Sequence, residues 1–177
     1  RRGQINALYA DGLSGSEFVV ITLGLVETWF DHASGLTLNE APQHRAVKAD
    51  PDRWEFRRLD VAQVREHVLN LVEALDAGRR NIVMTVSPVP LQVTFSGGDA
   101  VTANAYSKAI LRVVAEEVAH CVLGVDYFPS FEAVTSAGLL AYGEDQVHVR
   151  PNVVDRVIGR MTSAYVEPAA SAVPRAG

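Results

Sequence analysis

The sequence predicts an α/β fold: a partial doubly wound, three-layer αβα arrangement on a parallel sheet that lacks its first strands. Three observations predict it. Short, continuous apolar runs rich in β-branched residues read as buried parallel strands, amphipathic stretches of helical period alternate with them, and glycine or proline closes each joint.

The first run, Phe18 to Leu23, ends at Gly24, so the residues after it lie at a strand's carboxyl end. From Thr28 to Arg58 the chain is polar and broken by Gly35, Pro42 and Pro51, which predicts a long irregular excursion loop with room for a hairpin. Asp60 is placed to cap a helix whose Val61, Val64, Val68, Leu71, Val72 and Leu75 share one face, with Gly78 as its stop. Ile82 to Val86 is the second strand, and Ser87-Pro88-Val89-Pro90 turns the chain out of the sheet. A helix from Asn104 to Val122 is expected to bury Ala109, Ile110, Val113, Val114, Val118 and Cys121. Val125 to Phe128 is a third strand, stopped by Pro129. A helical segment over 130–140 follows, and then a helix over 151–161 whose inner stripe is Val154, Val157, Ile158 and Met161. Residues 1–166 are expected to form one domain and 167–177, rich in alanine and proline, a frayed tail. Right-handed crossovers would place helices on both faces of such a sheet, and ligands would bind at its carboxyl ends.

Composition narrows the function. With 177 residues, 48% of them hydrophobic, the chain can bury one substantial core. A net charge of -5 argues against binding to nucleic acid, which needs clustered Lys and Arg. No apolar run approaches the ~18–20 residues of a membrane span. The one cysteine, Cys121, cannot form an internal disulfide, which fits a cytoplasmic location. No pair of histidines has the spacing of a metal site, and no Gly-x-Gly-x-x-Gly or P-loop lysine occurs, so neither metal nor other cofactor is expected. The chain opens Arg1-Arg2-Gly3 without methionine, which suggests that a preceding segment has been lost.

One spacing bears on chemistry. Asp145 stands three residues before His148 on the turn that leads into the last helix. At that distance a carboxylate can reach the imidazole Nδ1–H, fix its tautomer and support the imidazolium formed when Nε2 takes a proton. The same spacing also suits a surface salt-bridged turn. Glu27, Trp29 and Asp31 fall on one side of the chain if it stays extended after the first strand. They form either a wall that recognises a sugar or acyl group, or a tryptophan lid with two solvated acids. Tyr106, Ser107, Lys108 and Arg112 are expected near a helix start, where solvated side chains outweigh an anion site, and Ser87 reads as a structural turn.

Taken in order, several segments resemble the GSCFA family over nearly the whole chain. They are Ile21 to Trp29 with Asp31 and Gly35, Val86 to Leu91, Asn104 to Arg112, Tyr127 to Glu132, and Asp145 with His148. The resemblance implies an SGNH-like hydrolase relative with a flavodoxin-like sheet, in which Asp145 and His148 are the acid–base end of a catalytic triad. Gly24 matches a glycine that opens an oxyanion-forming block, but Val26 stands where related enzymes place an asparagine. The family's Gly-Ser-Cys-Phe-Ala motif, which would hold the serine, does not occur in this sequence, and Ser14 and Ser16 read as loop residues. The resemblance therefore implies the C-terminal part of a serine ester hydrolase or acyltransferase acting on acylated saccharides or small esters. The alternative is a non-catalytic carbohydrate-binding or scaffold module on the same fold.

Overall fold

The computed structural model describes residues 2–38, 40–75 and 79–166. The predicted stop at Gly78 and the tail from 167 lie outside them. A helix, α1 (Arg2–Ser14), precedes strand β1 (Phe18–Leu23), and three short strands follow: β2 (Glu27–Asp31), β3 (Leu36–Leu38) and β4 (Trp54–Arg58). A short helix, α2 (His44–Ala49), lies between β3 and β4. Then come α3 (Val61–Ala74), β5 (Asn81–Val86), α4 (Ala100–Cys121), β6 (Val125–Tyr127), α5 (Ser130–Thr135) and α6 (Pro151–Tyr165).

The main sheet is parallel, in the order β1-β5-β6, with Phe18 opposite Asn81 and Ile82 opposite Val125. Alternation along β5 divides its side chains between two faces. Ile82, Met84 and Val86 meet Val64, Val68 and Val72 of α3 and Ile110, Val114 and Val118 of α4, which form the core. These helices start where side-chain oxygens accept otherwise orphaned backbone N–H groups. Asp60 accepts from Gln63 N at 2.9 Å while Gln63 Oε1 accepts from Asp60 N at 3.0 Å. Asp99 accepts from Thr102 N at 2.9 Å.

The opposite face is covered less completely. The stripe Val154, Val157, Ile158 and Met161 does face the sheet, but α6 buries none of its residues. A groove of about 500 Å³ separates the stripe from Val20 and Thr22 of β1. Val154 remains 37% exposed and Ile158 50%.

Three expectations are corrected. Residues 28–58 do contain a hairpin, β2–β3, but they are not otherwise an irregular excursion: β4 joins it in a second, antiparallel sheet in the order β3-β2-β4. Its strands are three to five residues long and half-exposed, too short to show alternation against a polar background. Gly35, at φ 67°, takes the left-handed position in the β2–β3 turn. The second helix starts at Ala100 and not Asn104, because Asp99 caps a first turn whose apolar Val101 is exposed and lies off the buried stripe. Ala109, Val113 and Cys121, expected inside, face solvent, while Ala103, Ser107 and Lys108 are buried in their place.

Candidate active site

Asp145 and His148 sit on a tight antiparallel hairpin. Tyr142 pairs with Val149, Gly143 N donates to His148 O at 2.8 Å, and Arg150 N donates to Ala141 O at 2.8 Å. Within it the Asp145 side chain organises the turn. Its Oδ1 accepts from the backbone N–H groups of Val147 and His148, each at 3.0 Å, and its Oδ2 lies 2.5 Å from His148 Nδ1. The imidazole bond, followed by the two backbone bonds, lowers the Asp145 pKa to about 2. The carboxylate therefore holds its partners through the neutral range, and its contribution, present above the ordinary value near ~4, is lost as pH falls through about 2.

His148 reaches into the mouth of the large groove beside Thr22, Thr85 and Pro88, at the carboxyl ends of β1 and β5. Among the described residues, Nε2 has no bonding partner. Gln146, between the two, has φ 58°, left-handed for a non-glycine residue. Its side-chain amide and backbone N–H both donate to Gly143 O, at 3.2 and 3.1 Å. Gln146→Val is expected to disfavour this conformation by about 1–2 kcal/mol and to release His148 from Asp145. The check is loss of the Asp145-dependent imidazole NMR signature in a chain that still unfolds cooperatively.

A model of the GSCFA family matches residues 2–161. The chain belongs to the GSCFA family. No curated protein and no solved structure matches it. Among the described residues of this GSCFA chain, no helix is long and apolar enough to cross a membrane.

The remaining candidates separate into distinct environments. The loop Gly24 to Val26 is pinned to α4 by two buried side chains: Lys108 Nζ donates to Gly24 O at 2.8 Å, and Val26 N donates to Ser107 Oγ at 3.4 Å. Gly24 has neither a left-handed φ nor a crowded Cβ position, so backbone freedom does not explain it. The Val26 N–H, turned into the core, is occupied by Ser107.

The expected solvated helix start at Ser107 and Lys108 is thus corrected. Ser107 is fully buried and Lys108 is 3% exposed. The overlooked signal is helical spacing: Ala103, Ser107, Ile110, Val114 and Val118 form one buried stripe once the helix starts at Ala100. Arg112, from the same expected cluster, bonds Glu132 at 2.6 Å and Glu116 at 2.7 Å.

Burial lowers the Lys108 pKa to about 8, and among the described residues no carboxylate pairs with it. Between about 8 and the model-peptide value of 10.5 the unfolded chain holds the proton that the folded chain has released, so stability rises with pH across that window. Urea titrations are expected to show wild type gaining on Lys108→Met between about pH 7 and about pH 10.

Glu27, Trp29 and Asp31 do project from one face of β2, but they part company there. Asp31 is 4% exposed, and Arg53 donates to both of its oxygens at 2.7 and 2.8 Å. Arg53, with Ser34 and Ala33, holds the Asp31 carboxyl well below the usual carboxylate range. Glu27 and Trp29 line a separate, smaller cavity beneath the loop that leaves β5. Ser87 makes a local turn, its Oγ accepting from Val89 N at 3.2 Å. Ser14, the last residue of α1, donates to Asp11 O at 2.8 Å.

Proposed function

We propose that the chain supplies the acid–base half of an ester-hydrolysing or acyl-transferring centre that acts on acylated saccharides or other small esters. The observation that carries this reading is the 2.5 Å contact between Asp145 Oδ2 and His148 Nδ1, with Nε2 at the carboxyl-end groove and without a partner among the described residues. Nδ1–H donated to the carboxylate leaves the Nε2 lone pair free to accept a proton. A serine hydroxyl attacking an ester carbonyl would pass its proton to Nε2, Asp145 would stabilise the imidazolium, and the proton would go on to the departing alkoxide. Water or a second alcohol would then receive the acyl group. These 177 residues lack the Gly-Ser-Cys-Phe-Ala motif, and on this reading they do not themselves carry the serine. Gly24 is the proposed backbone contributor beside the oxyanion, and Glu27 with Trp29 the proposed substrate wall; Asp31 is excluded because Arg53 occupies both oxygens.

A second reading, a carbohydrate-binding or scaffold module without turnover, draws on the openness of the same pair. The His148 side chain is 77% exposed and that of Asp145 48%, so water screens their field. Short-chain aryl ester hydrolysis by the full-length gene product tests the first reading. Saturable turnover that depends on His148 supports it, and turnover indifferent to His148 contradicts it.

A further inference from the structure

Two neighbouring side chains of α4 grip the short loop that leaves β1. Ser107 is fully buried and Lys108 is 3% exposed, yet both spend their polar atoms on backbone: Ser107 Oγ accepts from Val26 N at 3.4 Å, and Lys108 Nζ donates to Gly24 O at 2.8 Å. Taking an ammonium out of water is costly, and a methionine would fill similar space without that cost. Desolvation is the one cause that moves the Lys108 pKa, so no neighbouring carboxylate offsets the burial. Packing alone therefore does not account for a lysine here.

What the ammonium fixes is the orientation of one peptide. The described residues contain no cis peptide bond, so the Gly24–Leu25 unit is trans and planar, and its N–H points opposite to its C=O. Lys108 draws that carbonyl toward α4, on the sheet face where Met84 and Val86 meet the helices. The Leu25 N–H is thereby turned away from α4. His148 lies on the opposite face, beside Thr22 and Thr85. The outer side of this peptide is open: Gly24 and Leu25 are exposed, and a Cβ placed on Gly24 would meet no atom within 4 Å. Glycine at such a position clears the approach of a ligand to the backbone.

We propose that Lys108 is a positioning residue: by holding the Gly24 carbonyl toward α4, it presents the Leu25 N–H on the His148 side as a donor to the oxygen that becomes negative when an ester carbonyl is attacked. An ammonium suits this role better than a neutral donor, because a charged partner on the carbonyl polarises the peptide and strengthens its N–H as a donor. The inference rests on the ester reading for the reaction and deepens it by naming the donor atom and the group that aims it.

Butyrate, the acid product of para-nitrophenyl butyrate, offers an anionic oxygen to the same donor. At pH 7, below the Lys108 value of about 8, titrating the protein that carries this chain with butyrate should move the Leu25 amide proton downfield saturably, and Lys108→Met should lose that response. Against para-nitrophenyl butyrate, Lys108→Met should lower kcat by about tenfold or more with KM nearly unchanged, short of the ~10²–10³-fold cost of deleting an oxyanion donor outright. Lys108→Arg, which restores a cationic donor, should recover part of the loss. A Leu25 amide unmoved by butyrate, or moved equally in wild type and Lys108→Met, overturns the proposal. If the variants fold poorly, the wild type decides: an unmoved Leu25 amide, or no coupling from Lys108 ¹⁵Nζ to Gly24 ¹³C′ across the hydrogen bond, is the contrary result. The two readings separate in the same experiments. A Leu25 response without His148-dependent turnover defeats the ester reading alone, and His148-dependent turnover that Lys108→Met leaves intact defeats the positioning role alone.

Discussion

On the proposed ester reading, replacing His148 with alanine is expected to lower ester turnover by the protein that carries this chain by about 10²–10⁴-fold, the range contributed by a positioned general base. The loss should fall on kcat and leave KM nearly unchanged, because the imidazole acts on a proton in transit and its ring supplies only one edge of the groove mouth. Asp145→Asn should cost less. It retains an acceptor oxygen, yet removes the charge that supports the imidazolium and leaves a second tautomer open to the ring. Single-turnover and steady-state measurements on the three proteins check the order wild type, Asp145→Asn, His148→Ala.

The second large effect concerns the core. Met84→Ala is expected to destabilise the chain by about 2–5 kcal/mol, the sum of lost transfer energy and a cavity that its surroundings cannot fill. Met84 is fully buried on the central strand, packed on the face that α3 and α4 cover, and its carbonyl accepts from Phe128 N at 2.8 Å. Val154→Ala, on α6 across the open groove, should cost under about 1 kcal/mol. Urea unfolding with unchanged m-values would confirm that both report on stability. Equal effects would mean that the two faces of the sheet are covered alike.

The difference between those faces shows which parts of the fold the sequence made legible. Ile82 to Val86 reads directly as a buried strand because a parallel strand packed on both sides needs no polar alternation. The α6 stripe is equally legible from its period, but a period gives direction and not cover: Val154 and Ile158 point to the sheet and stay exposed. Strands β2 to β4 are not legible in the sequence because their order depends on partners far along the chain, such as Arg53 for Asp31, 22 residues away. Nothing local marks Arg53 as the partner.

The candidate site divides on the same principle. Asp145 and His148 are three residues apart, so their meeting is a matter of local turn geometry and could be anticipated. Ser107 and Lys108 reach Val26 and Gly24 across more than 80 residues, and only the corrected helix start brings them to the inner face. Trp29 stands out in the sequence, yet its packing against Phe56 and Phe95, 27 and 66 residues away, does not.

A carboxylate can only accept, so Asp145 fixes the imidazole of His148 with its proton on Nδ1 and its free lone pair on Nε2. Imidazole ¹⁵N shifts of His148, recorded at a pH where the ring is neutral, measure this directly. A dominant Nδ1–H tautomer is expected in the wild type, giving way to a mixture in Asp145→Asn. A dominant Nε2–H tautomer, or identical shifts in the two proteins, would contradict it.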